Sequence, residues 1–183
     1  MPKTYICETT RTTRTSLSVA DELEVPVRGR TKTKMLIGRR EWFTLPDIGV
    51  DIVTAKVDTG AYTSSLHAEQ IEVFEKEDKE WVRFITHSHH GDVVECEAEL
   101  VQRKRIKSST GRGRKRLIIK TTVRLIGGFE WQVLFSLADR SVMKCPLLIG
   151  RRALSGYFLV DTQASHLFGN VSSLTGHSHQ KRK

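Results

Sequence analysis

The residues best placed to do chemistry are Asp58, Thr59 and Gly60, which close the run Ala55-Lys56-Val57-Asp58-Thr59-Gly60-Ala61. An extended, apolar-rich approach ending in Asp-Thr-Gly reads as a strand that delivers a carboxylate into a tight turn. Gly60 lets the chain turn sharply and come close to a partner chain or substrate. The Thr59 hydroxyl can hydrogen-bond across the loop and fix it. Three residues recur by chance, so the motif needs company. A second element supplies it: Pro146-Leu147-Leu148-Ile149-Gly150-Arg151-Arg152-Ala153-Leu154, near the end of the apolar core.

Lys56 stands two residues before Asp58, and side chains two apart on a strand share a face. If Asp58 points into a cleft, the Lys56 ammonium lines it too. Such a pocket suits a glutamate better than an apolar side chain, and it favours ionised carboxylates. The alternative is an ammonium that snorkels into solvent at the strand's edge. More charge is concentrated further on: between Val101 and Lys120 stand Arg103, Lys104, Arg105, Lys107, Arg112, Arg114, Lys115, Arg116 and Lys120, with no acid among them. With Ser108-Ser109-Thr110-Gly111 in its middle, this segment reads as a basic hairpin or flap that would gather a polyanion. Arg103 and Arg105 are read as substrate contacts.

Other polar groups carry less. His87, His89 and His90 come without an HExxH helix or a spaced cysteine pair, so they read as a polar turn before Gly91-Asp92 and no metal site is expected. His67 reads as a satisfied, partly buried imidazole with a supporting role. Gly111-Arg112-Gly113 lacks the spacing of a phosphate loop, so neither ATP nor any other cofactor is expected. Ser108-Ser109 is turn chemistry, because no His and acid pair is arranged to activate a serine.

The elements that must position these residues are mainly strands. Apolar residues come in short runs or in alternation, as in Met35-Leu36-Ile37, Trp81-Val82-Arg83-Phe84-Ile85, Leu117-Ile118-Ile119 and Trp131-Gln132-Val133-Leu134-Phe135, separated by turn residues. The core is therefore mostly β. Arg151 to Ser155 reads as a short helix, and Thr63 to Gln70 as a weaker helical candidate. Residues 1–33, rich in Thr, Ser and Arg, read as having no apolar periodicity and hence as a mobile arm, 34–171 as the folded domain, and 172–183 as a basic tail.

Asp58-Thr59-Gly60 together with Leu148-Ile149-Gly150 resembles the retropepsin-like aspartic peptidases. A wider set of residues is similar to the family labelled "putative ATP-dependent zinc protease", now regarded as retropepsin-like and linked to a ligase that adds glutamates to a ribosomal protein. That set comprises Ile37-Gly38-Arg39-Arg40-Glu41-Trp42, Lys56 to Ala61, Ser65-Leu66-His67-Ala68, Glu95-Cys96-Glu97 and Leu148-Ile149-Gly150-Arg151. The resemblance spans residues 37–169. It implies an all-β fold, a retropepsin-like closed β-barrel with one short C-terminal helix, whose late apolar-apolar-Gly segment passes through the Asp-Thr-Gly loop.

It also implies aspartic chemistry, in which two carboxylates share one proton. Asp161-Thr162-Gln163 lacks the glycine and follows Tyr157 to Val160 at what reads as a strand end, so Asp161 is taken as structural. The expected enzyme is then a homodimeric endopeptidase with catalytic Asp58, Thr59 and Gly60 from each copy. Lys56, Ala61, Arg103, Arg105 and Arg151 are its substrate-binding residues. Retroviral relatives pair the arginine after the late glycine with an acid shortly after Asp-Thr-Gly. Here that region reads Ala61-Tyr62-Thr63-Ser64, which leaves Arg151 to hold Glu41 or Asp161, or to meet substrate.

Composition bounds the rest. The chain has 183 residues, about one domain's worth, which excludes a large two-lobed enzyme. Lys and Arg total 30 against 21 acids, a formal net charge of +9, so an acidic partner is expected: an acidic peptide or a glutamate-tailed protein, with possible ribosome association. Apolar stretches fall far short of the roughly 18 residues that a membrane span needs. Cys7, Cys96 and Cys145 are odd in number and lack CxxC spacing, pointing to reduced thiols and a cytoplasmic setting. The competing class is a non-catalytic basic module that binds RNA or the ribosome on a peptidase-like fold. The absence of aromatic residues from the basic segment weakens it.

Overall fold

The computed structural model describes residues 22–27, 30–107 and 113–169. Twelve strands follow in chain order: β1 (Glu22–Val27), β2 (Arg30–Gly38), β3 (Arg40–Leu45), β4 (Val50–Asp58), β5 (Ser64–His67), β6 (Glu69–Lys76), β7 (Lys79–His87), β8 (Val93–Lys107), β9 (Gly113–Leu125), β10 (Glu130–Ala138), β11 (Leu147–Gly150) and β12 (Phe158–Asp161). A 3-10 turn (Pro46–Ile48) precedes β4, and one helix, α1 (Arg151–Leu154), follows β11. The segment 172–183, expected as a tail, lies outside the described residues.

Six strands close on themselves in the order β3, β4, β11, β5, β10, β9, so the expected all-β closed barrel with its short helix is present. Closure satisfies every barrel edge. On β4, Val53, Ala55 and Val57 are buried, whereas Lys56 is exposed and Thr54 and Asp58 are half-buried. Period-two alternation thus turns the apolar set inward and leaves Lys56 and Asp58 together on the other face. Phe43, Leu45, Leu66, Ile119, Phe135, Leu147 and Ile149 fill the interior with no exposure.

β8 serves two sheets. Its first half pairs with β7, and after a bulge between Leu100 and Gln102 its second half pairs with β9. The bulge bends the strand, so β6 and β7 extend the sheet beyond the barrel. A separate three-stranded sheet is ordered β1, β2, β12; β12 runs parallel to β2 and, among the described residues, pairs with no other strand.

Two sequence expectations need correction. Thr63 to Gln70 is not helical. β5 is buried at all four residues, and pairing with β10 on one side and β11 on the other overrides the weak helical pattern. Strand structure also reaches back to Glu22, inside the segment expected as an arm, because β1 pairs with β2 from Glu22↔Met35 to Val27↔Arg30. Among the described residues, no helix is long and apolar enough to cross a membrane.

Candidate active site

Asp58 is the last residue of β4, and its own loop holds it. The Gly60 and Ala61 backbone N–H groups donate to Oδ1 at 3.0 and 3.2 Å. Oδ2 accepts from Lys56 Nζ at 2.8 Å. The Lys56 hydrogen bond is the foremost influence on the Asp58 carboxyl and holds it below the usual carboxylate range. Burial opposes this, while the Lys56 charge and the two loop N–H groups reinforce it. Asp58 is half-buried, whereas Thr59 and Gly60 are exposed. Lys56, with a side chain 57% exposed, does reach solvent, yet its ammonium lies on the carboxylate.

A second chain segment braces this loop. β11 runs parallel to β4 in the register Gly150↔Asp58, then enters α1 through the loop. Gly150 N–H donates to Ser64 Oγ at 3.0 Å, Arg151 N–H to the Ala61 carbonyl at 2.8 Å, and Arg152 N–H to the Tyr62 carbonyl at 3.2 Å. Ala61 therefore serves the site through its backbone, accepting from Arg151 and donating to Asp58. No side chain fits at Gly150: a Cβ there would lie 2.8 Å from the Thr63 carbonyl carbon and 3.0 Å from the Ala61 oxygen.

Arg151 does not hold Glu41 or Asp161. Its Nη1 donates to the Gly60 carbonyl at 2.9 Å, and its guanidinium lies 5.3 Å from the Tyr62 ring centroid. With no acid in Ala61 to Ser64 to pair with it, Arg151 is held instead by a loop carbonyl that accepts from its guanidinium. Asp161 Oδ1 instead accepts the N–H groups of Gln163 and Ala164, closing a turn. Beside the Asp58 loop, a groove of about 750 Å³ is lined by Thr59, Tyr62, Arg151, Leu154, and Leu159 and Val160 of β12 among others.

The basic segment divides. Arg103 forms an ion pair with Glu80 on β7, away from Asp58. Arg105 is exposed and lies directly opposite Lys115. β8 is three strands from β4 along the sheet, about 14 Å at the usual strand spacing, so neither arginine sits with Asp58 in a single chain.

Sequence reasoning gave one group the wrong partner and missed another. Glu41 has no exposure, yet its Oε1 accepts from Gly38 N–H and Leu167 N–H at 2.9 Å, tying the segment after β12 to the β2–β3 corner. Burial pushes its carboxyl up, against the three backbone N–H groups and the nearby His166 that pull it down. An acid inside the apolar strand Arg40–Leu45 was the available signal. Arg140 was the omission. His67 Nδ1 accepts the Arg140 N–H at 2.9 Å, so the ring proton sits on Nε2, 3.2 Å from Glu69 Oε1. His67, Glu69 and Asp139 bring their ligand atoms within 4.8 Å of one another. With both ring nitrogens engaged, the imidazole has no free lone pair to offer a metal.

Comparison with known proteins agrees with this geometry. The RimB-like family, described as the retropepsin-like aspartic endopeptidase RimB, matches residues 36–168. A probable alpha-L-glutamate ligase of Shewanella pealeana is 39% identical over 144 residues, covering 77% of this chain and 31% of that protein. One of Desulfotalea psychrophila is 34% identical over 142 residues, covering 76% and 30%. The chain thus spans about a third of the length of the curated relatives it matches. A crystal structure of a Legionella pneumophila protein of unknown function superposes with a TM-score of 0.63 at 28% identity, covering 73% of this chain and 97% of that one.

Proposed function

Since the chain belongs to the RimB-like family of retropepsin-like aspartic endopeptidases, we propose that it is an aspartic endopeptidase that works as a homodimer on acidic, glutamate-rich peptide tails. The observation that carries this reading is the Asp58 carboxylate. Its Oδ1 is locked by loop N–H groups, and its only hydrogen-bonding side chain among the described residues is Lys56. One fixed carboxylate per chain is half of an aspartic dyad, and a twofold axis beside Asp58 supplies the other half. The groove next to the loop, and an edge of β12 that no strand covers among the described residues, support a second copy as their occupant.

In such a dyad the two carboxylates share one proton. The ionised one removes a proton from a water as that water attacks the scissile carbonyl carbon, and the protonated one donates to the carbonyl oxygen. Collapse of the tetrahedral species breaks the C–N bond and returns a proton to the amine. Gly60 and Ala61 fix the direction of the carboxylate, which is the positioning such a step requires. Lys56 favours acidic substrates, because a glutamate side chain near the dyad can take over part of its charge. That the relatives are named glutamate ligases supports a glutamate-containing substrate for this domain.

The test is turnover of an oligoglutamate peptide by the wild type and by Asp58→Asn. The wild type should cleave, with activity that falls on dilution below the dimer's dissociation constant, and the variant should not. Equal rates would remove Asp58 from the mechanism. The acid-free hairpin favours a second reading, a module that binds RNA or the ribosome without cleavage. Binding that weakens steeply with salt, with no peptide turnover, is its signature.

A further inference from the structure

β5 and β10 run parallel and finish together, in the register Ala138↔His67. The polar residues just past that point, Glu69 on one side and Asp139 and Arg140 on the other, are thereby gathered around the His67 imidazole, which is buried. The connection from β10 to β11, residues 139–146, is tied to His67 near both of its ends. His67 N–H donates to the Pro146 carbonyl at 2.8 Å, and the ring Nδ1 accepts the Arg140 N–H at 2.9 Å. Arg140 in turn closes the connection on itself, its Nε and Nη2 donating to the Cys145 carbonyl at 3.3 and 3.2 Å. Val142 and Met143 at the tip are exposed, so polar ties rather than apolar packing hold that end of the connection.

The two ties respond differently to charge. The bond to Pro146 uses the backbone and does not involve the ring. The bond to Arg140 needs a lone pair on Nδ1, which only the neutral imidazole has. A protonated ring sets Nδ1–H against the Arg140 N–H, donor against donor. Two carboxylates stand where they stabilise that charged form: Glu69 Oε1 is 3.2 Å from Nε2, and Asp139 Oδ1 is 4.0 Å from Nδ1, about 1 Å beyond a hydrogen bond. Asp139 Oδ1 is aimed there by the Ser141 N–H and hydroxyl, which donate to it at 2.9 and 2.7 Å. From β7 the His87 ring stacks on His67 with centroids 5.7 Å apart, and the connection itself brings the Arg140 guanidinium and buried Cys145. Positive charge on His87 or Arg140 opposes charging of His67, and the two carboxylates favour it.

We propose that His67 is a pH-operated latch on the β10–β11 connection: when neutral, its Nδ1 holds the Arg140 N–H and keeps the connection against β5; when protonated, it releases Arg140 and donates to Asp139 instead, leaving the connection hinged at Pro146. Histidine is the side chain that ordinarily changes charge between about pH 5 and 8. The step takes one proton from solvent onto Nδ1 and exchanges one hydrogen bond for another. The connection it frees is the one that hands the chain to β11, whose Gly150 pairs with Asp58. The latch therefore acts on the strand that braces the candidate site, with no contact to Asp58 itself. It is independent of the peptidase reading and is tested without cleavage.

The experiment follows hydrogen exchange at the Arg140 amide by heteronuclear NMR on the full chain between about pH 8 and 5, with each rate divided by the intrinsic rate at that pH, alongside the His67 ring resonances. Protection at Arg140 should fall about tenfold or more as the ring titrates, as loss of one hydrogen bond does, while the His67 amide, bonded to Pro146, keeps its protection. His67→Asn supplies a side-chain carbonyl that accepts without titrating, and it should keep Arg140 protected throughout. Asp139→Asn removes the carboxylate that receives the charged ring, so release should move to lower pH by about half a unit or more; this variant carries the test if His67→Asn does not fold. The latch is wrong if His67 titrates with no change at Arg140, if the ring stays neutral across the range, if both amides lose protection together, or if His67→Asn releases Arg140 at the wild-type pH. A protein that passes these tests and cleaves no oligoglutamate keeps the latch and loses the peptidase reading.

Discussion

Replacing Gly150 by alanine tests how the Asp58 loop is held. The added Cβ would stand 2.8 Å from the Thr63 carbonyl carbon, 2.9 Å from its oxygen and 3.0 Å from the Ala61 oxygen. Ordinary contact between such atoms is about 3.5–4.0 Å, so a gap of roughly 0.5–1 Å must open. All three are backbone atoms, and no side-chain rotation relieves the clash. The loop is also tied to β11 and α1 by Gly150 N–H to Ser64 Oγ and by Arg151 N–H to the Ala61 carbonyl. Overpacking costs about 1–3 kcal/mol, and weakening one of these hydrogen bonds adds about 1 kcal/mol. At about 2–4 °C per kcal/mol for a domain of this size, Tm should fall by about 5–15 °C. A displacement near 1 Å at Asp58 should cost turnover on the order of a hundredfold even well below the melt. Calorimetry and oligoglutamate turnover at low temperature measure the two effects separately. A Tm within about 2 °C of wild type, with turnover intact, would refute the claim that β11 braces the loop. Gly60→Ala is the contrast: its Cβ meets only Asp58 Oδ1, at 3.2 Å, so turnover should drop while Tm hardly moves.

Lys56→Ala removes the largest influence that lowers the Asp58 carboxyl. The dyad then keeps its shared proton to higher pH, so the basic limb of the pH–rate profile should move upward and the preference for acidic over apolar peptides should shrink. An unchanged limb and an unchanged preference would exclude Lys56 from the pocket. The same pair shapes acid stability. Because the folded Asp58 carboxyl titrates below its unfolded value, its contribution is present above the unfolded value and is lost as pH falls through the folded one. Glu41 has the opposite sign. Its raised carboxyl stabilises the fold below the unfolded value of 4.5, and that contribution is lost as pH rises through the folded value. Glu41→Gln should flatten this slope in denaturant titrations run across pH and leave neutral-pH stability within about 1 kcal/mol, whereas Glu41→Ala, which orphans backbone donors, should cost about 2–4 kcal/mol. A Gln variant that keeps the wild-type pH slope would show that Glu41 is not its source.

The legible parts of this protein were those encoded by neighbours in sequence. Asp58-Thr59-Gly60 announced a carboxylate at a strand end, and the alternation of β4 put Lys56 beside it. Leu147 to Leu154 announced a strand, a glycine and a helical turn. The misses had non-local causes. β5 is a strand because β10 and β11 flank it, and four residues carry too little periodicity to say so alone. The alternation Leu23, Val25, Val27 was present but easily lost in a polar segment.

Sequence by itself determined that each chain brings one Asp-Thr-Gly, that Lys56 shares its face, and that cations outnumber acids in one hairpin, because these depend on residue identity and on the two-residue period of a strand. Tertiary structure alone decided that Gly150 lies against Thr63, that Arg151 meets the Gly60 carbonyl rather than an acid, and that buried Glu41 accepts from the Leu167 N–H at the far end of the domain. Those contacts join residues distant in the chain, and only closure of the barrel specifies which of the many available carbonyls and N–H groups each polar side chain reaches.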